Sequence, residues 1–300
     1  MSLAHQVHEE VLARLGGVSV AARQAVEALL AGSHRSVRRG LSVEFAGHRP
    51  YQPGDDLRRL DWLVWARTDR HEIRLYEEET RLRATLVVDA SGSMAYGSEG
   101  RGIGGGGKLA YARTIAAALG FLMVRSSDAV GLAVVDDRVR LHLPPAGTTG
   151  HLLALLDRLA DCPAGGETAL GPVLARLAPA LTRRGLVIVI TDGLDDPQRL
   201  VLALRELHHR RQDVRLFVVC DPDEQDFPFA GGLEAHGLEG EPAIEVDGDR
   251  IRAWYRQALH GHRAALAEGC HAMGARVEWL RTDEDPAAAL VRILAPGGGQ

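Results

Sequence analysis

The stretch Ala84-Thr85-Leu86-Val87-Val88-Asp89-Ala90-Ser91-Gly92-Ser93-Met94 decides how the rest of the chain is read. Its first five residues form a short, apolar, largely β-branched run that ends in a carboxylate, the pattern of a strand buried on both faces. Asp89, Ser91 and Ser93 then fall at alternate positions, where an extended loop turns side chains to one side, and Gly92 lets the loop fold back.

Working outward, the same rhythm repeats. Lys108 to Arg125 carries Leu109, Ala112, Ala116, Leu119 and Met123 on one helical stripe. Strands are predicted at Ala129 to Val135 and Val139 to Leu143, and helices at His151 to Ala160 and Leu170 to Thr182. A second buried strand, Leu186 to Ile190, runs into Thr191-Asp192-Gly193. A helix at Pro197 to Arg211, a strand at Val214 to Val219, a loop rich in Asp, Pro and Gly, a helix at Asp249 to Met273, a strand at Arg276 to Leu280 and a helix at Pro286 to Leu294 complete the pattern. Strands alternating with helices imply an α/β fold with a mostly parallel central sheet flanked by helices on both faces.

The chain before this domain reads differently. Residues 1–32 show helical spacing broken at Gly16-Gly17, so two short helices are expected there. Residues 33–81 alternate in short segments around Tyr51-Gln52-Pro53-Gly54-Asp55-Asp56, a turn, and form a small β-rich subdomain. The α/β domain takes residues 82–300.

Composition excludes several classes. At 300 residues, 46% hydrophobic and 25% charged, the chain has globular composition and length enough for a real core. With 35 basic and 40 acidic side chains it carries a net charge of −5 and no long single-sign run, which argues against a nucleic-acid partner. The longest apolar stretch, Ile115 to Val124, is too short to span a membrane, and the first residues lack a leader pattern, so no membrane span and a cytoplasmic location are expected. Cys162, Cys220 and Cys270 are widely spaced, which gives neither a disulfide framework nor a thiolate zinc site. Two oddities remain: 34 glycines, and Lys108 as the single lysine.

Ligands of open parallel sheets gather beyond the carboxyl ends of the strands. There the sequence places Asp89, Ser91 and Ser93 after one strand, Thr191 and Asp192 after another, and Thr168 on the glycine turn Gly165-Gly166-Glu167-Thr168 between them. These side chains offer oxygen donors only, which suits a hard cation: Mg²⁺, with Mn²⁺ chemically tolerable. Thr148 and Thr149 are a weaker source of the hydroxyl than Thr168, because the glycines before Thr168 fit such a loop better.

Asp89, Ser91 and Ser93, followed by Thr168 and Asp192, resemble in order and spacing the metal-ion-dependent adhesion site of von Willebrand factor A-type domains. The resemblance implies a von Willebrand factor A-like fold in which the serines and the threonine surround the metal and the aspartates lie against it or one step behind. It also implies that a partner's carboxylate completes the coordination. Two features depart from it: Glu167 beside the threonine, and the segment Gly97 to Gly107 between the metal loop and its helix.

Further residues narrow the resemblance. Gly47, the block from Tyr51 to Asp56, Arg58, Asp61-Trp62, Ala66-Arg67, Tyr76-Glu77-Glu78-Glu79, Asp221-Pro222-Asp223-Glu224 and the stretch Trp254 to Leu280 look like domain-of-unknown-function family 58. That resemblance implies a bacterial or archaeal protein that works with a MoxR-type AAA+ ATPase in assembling or activating client proteins. Read from its own chemistry, the block around Pro53-Gly54 is structural before it is functional, and Trp62 and Trp65 read as core or interface anchors.

Competing readings are less favoured. Gly102 to Lys108 fits the start of a phosphate-binding loop, but Leu109 stands where a hydroxyl must reach Mg²⁺, so no bound nucleotide is expected. A metal-dependent hydrolase would need Glu167, Asp195 or Asp196 as base, and neither G-x-S-x-G nor H-E-x-x-H is present. The expectation is therefore a non-enzymatic, Mg²⁺-dependent protein-binding module, with the hydrolase as the alternative.

Overall fold

The computed structural model describes residues 15, 22–26, 45–52, 61–68, 70–76, 82–97, 107–181 and 184–294. Residue contacts divide the chain into two compact units, one of residues 33–81 and one of residues 1–32 with 82–300.

In the smaller unit, β1 (Phe45–Pro50) pairs antiparallel with β2 (Glu72–Tyr76), and α1 (Trp62–Thr68) lies between them in sequence. The Val64 amide donates to Asp61 Oδ1 at 3.2 Å, so Asp61 starts the helix. Trp62 and Trp65 meet edge to face at 5.8 Å, and Trp65 stacks on His71 at 5.7 Å. Trp62 is 57% exposed and Trp65 38%, so of the two expected roles, core or interface anchor, neither residue fills the first. Residues 53–60 of the turn block, and the acidic run after Tyr76, lie outside the described residues.

The larger unit is built on a six-stranded sheet. Its strands are β3 (Arg83–Asp89), β4 (Ala129–Val135), β5 (Val139–Ala146), β6 (Gly185–Thr191), β7 (Gln212–Cys220) and β10 (Arg276–Arg281), in the order β10-β7-β6-β3-β4-β5. All neighbours are parallel except β4 and β5, a hairpin turned at Asp136-Asp137. The period of two along each strand divides the core. Ala84, Leu86 and Val88 of β3, Leu186, Ile188 and Ile190 of β6, and Phe217 and Val219 of β7 face one side, where α2 (Gly107–Arg125), α3 (Thr149–Ala160) and α8 (Pro286–Leu294) pack. Val87, Val187, Val189, Leu216 and Val218 face the other, against α4 (Leu170–Leu177), α5 (Pro197–His209) and α7 (Gly248–His271). Buried Leu, Ile and Val side chains in such layers each contribute about 1.5–3 kcal/mol relative to exposure.

Of the expected N-terminal helices, only Leu15 and residues 22–26 are described; they are helical, and Leu15, Ala22, Ala25 and Val26 are buried in the first core layer. The segment after β7 is not the plain loop the sequence suggests. It holds a short helix, α6 (Pro222–Asp226), and an antiparallel hairpin of β8 (Gly232–Ala235) and β9 (Ile244–Asp247). Asp221 starts α6 with a reciprocal cap, its side chain taking the Asp223 amide while Glu224 takes the Asp221 amide.

The chain leaves β3 toward β4 and later returns to β6 on the opposite side of β3. The order therefore reverses between β3 and β6, and right-handed crossovers then put the helices on opposite faces and open a crevice at the strand ends. Asp89 ends β3 and Thr191 ends β6, so the polar loops open into that crevice.

Candidate metal centre

Asp89 anchors the site. Its side chain is 1% exposed; Oδ1 accepts the Ser91 amide at 2.9 Å, and Oδ2 accepts the Thr191 hydroxyl at 2.7 Å. The Thr191 oxygen in turn accepts the Gly193 amide at 3.0 Å, so one hydroxyl ties the end of β3 to the loop after β6. Burial, and then the nearby Asp192 charge, push the Asp89 carboxyl up to about 7, while the Thr191 and Ser91 hydrogen bonds pull it down. A negative charge held here is short of positive partners.

The loop after Asp89 is stitched to the glycine turn. The Gly165 amide donates to the Ala90 carbonyl at 2.9 Å, and the Gly92 amide to the Gly166 carbonyl at 2.8 Å. Gly166 has φ +87°, and a Cβ there would stand 2.8 Å from Asp136 Oδ2, so glycine is required. Arg140 braces the turn from β5: its Nε pairs with Asp136 Oδ2 at 2.7 Å, and its guanidinium donates to the Pro163 carbonyl at 2.7 Å and the Gly165 carbonyl at 3.3 Å.

These links gather three hydroxyls. Ser91 Oγ lies 3.2 Å from Ser93 Oγ, which lies 3.5 Å from Thr168 Oγ1. Oxygen ligands about 2.0–2.1 Å from an octahedral Mg²⁺ stand roughly 3 Å apart, so the spacing is slightly wider than a cation would draw it. Among the described residues, no group of three or more His, Cys, Asp or Glu side chains forms a metal cluster. A cation here must lean on hydroxyls, and such hard neutral donors fit Mg²⁺ or Mn²⁺ and not a thiolate or imidazole metal.

A fourth group, absent from the expected set, is already seated among them. Glu239, in the loop between β8 and β9, accepts the Thr168 hydroxyl at 2.5 Å and the Ser93 amide at 3.1 Å on Oε1, and the Thr168 amide at 2.7 Å on Oε2. The sequence signal for it, an acidic residue set between Gly237 and Gly240, is faint.

Asp192 is placed differently from the other four residues. Its Oδ2 accepts Lys108 Nζ at 2.8 Å and its Oδ1 the Leu194 amide at 3.2 Å, so it is turned toward the lysine. Lys108 also reaches Glu224 Oε1 at 2.5 Å. Burial works to lower the ammonium's pKa, but Asp192 and Glu224 together hold it above its ordinary value. Burial pushes the Glu224 carboxyl up, and Lys108 opposes that shift. The single lysine is thus a buried counter-charge at the start of α2. The remaining glycines of the segment, 98–106, lie outside the described residues.

The other candidates have local duties. Thr148 starts α3 by accepting the His151 amide. Asp195 accepts the Gly171 and Asp196 amides, and Asp196 caps α5 through the Gln198 and Arg199 amides. Glu167 is exposed.

Comparison with known proteins places these features. Residues 47–265 match the model of a family described as protein of unknown function DUF58. An uncharacterized protein of Mycobacterium tuberculosis is 29% identical over 293 residues, covering 95% of this chain and 89% of its own. Among solved structures, the VWA domain of SpRpn10 has a TM-score of 0.44 at 14% identity, covering 73% of this chain and 98% of that one. An aerotolerance-related membrane protein from Bacteroides fragilis has a TM-score of 0.45 at 18% identity, covering 69% and 94%. The larger unit is a mixed α/β fold around a mostly parallel six-stranded sheet, as the alternation of strands and helices led one to expect.

The expected cytoplasmic location is corrected. The expectation rested on no stretch being long enough to span a membrane, and α2 is, by length and composition, long and apolar enough to cross one. The uninterrupted apolar run stops at Thr114 and Arg125, but the helix expected over Lys108 to Arg125 is the one found, and most of it is buried within the fold.

Proposed function

The chain belongs to the DUF58 family, and from its strand-end site we propose that it is a protein-binding module that captures a partner's carboxylate through a divalent cation. Its von Willebrand factor A-like fold is that of a protein-interaction module. The carrying observation is the seat itself: two amides and a hydroxyl from Ser93 and Thr168 converge on one carboxylate, beside hydroxyls spaced slightly wider than a hard cation would draw them. Ser91, Ser93 and Thr168 would hold Mg²⁺ or Mn²⁺, with Asp89 behind them supplying negative charge and Asp192 farther back, paired with Lys108. The cation supplies a directional positive charge that a surface salt bridge lacks.

The family resemblance makes a MoxR-type AAA+ ATPase, or its client, the natural partner. A non-enzymatic role agrees with the capping duties of Asp195 and Asp196 and the exposure of Glu167, the three bases the hydrolase reading would need. A nucleotide role sits poorly with Lys108, whose ammonium is enclosed between two carboxylates.

The test is affinity purification with this chain as bait, with and without chelator, beside the Ser91→Ala, Ser93→Ala double variant. The expected result is recovery of the ATPase only with wild-type protein and divalent cation. Equal recovery in excess chelator overturns the reading.

A further inference from the structure

We propose that Glu239 is the chain's own ligand for the cation site, holding the place of the partner's carboxylate, and that the β8–β9 hairpin is the arm that delivers it. This rests on the cation-site reading above. The first observation is the seat: Glu239 makes three hydrogen bonds to Ser93 and Thr168, and its carboxylate supplies an anionic oxygen beside the neutral hydroxyls.

The second is the construction of the arm. Its base is fastened to the start of α7: the Gly231 amide reaches Asp249 Oδ2 at 2.9 Å, the Gly248 amide reaches the Gly231 carbonyl at 2.8 Å, and Arg252 donates to the Phe227 and Phe229 carbonyls. The shaft is only two strands paired with each other, a form marginally stable in water by itself. Leu238 and Ile244 near its tip are 49% and 56% exposed. At the tip, Glu239 hydrogen-bonds to Ser93 and Thr168, and the Leu238 carbonyl lies against Gly92.

The third is Gly92, between the two serines. A Cβ there would stand 2.3 Å from the Leu238 carbonyl oxygen and 3.0 Å from Glu239 Cγ, so the loop omits a side chain where the arm lies on it. An outside carboxylate therefore meets an occupied seat and must exchange with a tethered one. Tethering gives Glu239 the advantage of effective concentration and sets a threshold for capture.

Mn²⁺ alone is the probe, added to the full chain and followed by calorimetry and by water-proton relaxation, which counts waters on the metal. Glu239→Gln is expected to weaken Mn²⁺ at least about tenfold and to admit an additional water. Acetate should displace that water in Glu239→Ala but not in wild type. Gly92→Ala, which leaves the carboxylate in place but pushes the arm away, should speed amide exchange across residues 232–247 as Glu239→Gln does, with β3 unchanged as the folding control. Wild-type affinity and hydration in Glu239→Gln overturn the arm; if the Ser91→Ala, Ser93→Ala variant still loses Mn²⁺ in that case, the cation site stands without it. No Mn²⁺ uptake by wild type overturns both.

Discussion

Lys108 Nζ sits 2.8 Å from Asp192 Oδ2, with the two side chains 0% and 1% exposed, so the chain's single lysine neutralises the aspartate that follows β6. Removing one member strands a charge in the interior. Lys108→Met is expected to cost about 3–5 kcal/mol in urea unfolding, and adding Asp192→Asn should recover part of that loss in a double-mutant cycle. ATP should not raise the melting temperature of the wild type.

Thr191 joins two strand ends through one oxygen, donating to Asp89 and accepting from Gly193. Thr191→Val keeps the shape and removes both bonds. A loss of about 1–3 kcal/mol is expected in chemical denaturation, with weaker Mn²⁺ binding because the Asp89 carboxylate is no longer fixed.

Gly166 combines a left-handed backbone with a Cβ position 2.8 Å from Asp136 Oδ2. Gly166→Ala must strain the turn and disturb the brace from Arg140. The expected signature is about 1–3 kcal/mol of destabilisation together with loss of Mn²⁺ affinity, since Thr168 is carried by the same turn. Far-UV circular dichroism should be unchanged.

Glu167 is exposed beside Thr168, so Glu167→Ala should change stability by less than about 0.5 kcal/mol and leave Mn²⁺ affinity intact. Asp196→Ala, which removes a cap bonded to two amides, should cost about 0.5–2 kcal/mol by the same denaturation assay. Turnover of a phosphoester or peptide substrate that disappears in Glu167→Ala would revive the hydrolase reading.

The sheet was legible because its signal is local. The buried runs at Ala84 to Val88 and Leu186 to Ile190 can satisfy their apolar side chains only as covered strands, and both are. Ser91, Ser93 and Thr168 were readable for a related reason, since each follows a strand or a glycine turn that fixes where its loop must open. Glu239 was not readable: its partner Thr168 lies 71 residues away, and the hairpin that carries it is short and mostly exposed. The role of Lys108 was hidden similarly, because Asp192 and Glu224 are 84 and 116 residues distant. Glycines beside a lysine suggest a phosphate loop until those two carboxylates are seen. The helix over Lys108 to Arg125 was legible to within one residue of α2, because its apolar stripe repeats at helical spacing.

The seat for a carboxylate is composed of an amide at Ser93 and an amide and hydroxyl at Thr168, on two loops stitched together by backbone bonds at Ala90, Gly92, Gly165 and Gly166. None of this exists in a chain whose β3 and glycine turn have not yet met. On the reading proposed above, a partner's carboxylate would find its seat only on a folded copy, so binding would itself report that the fold is complete.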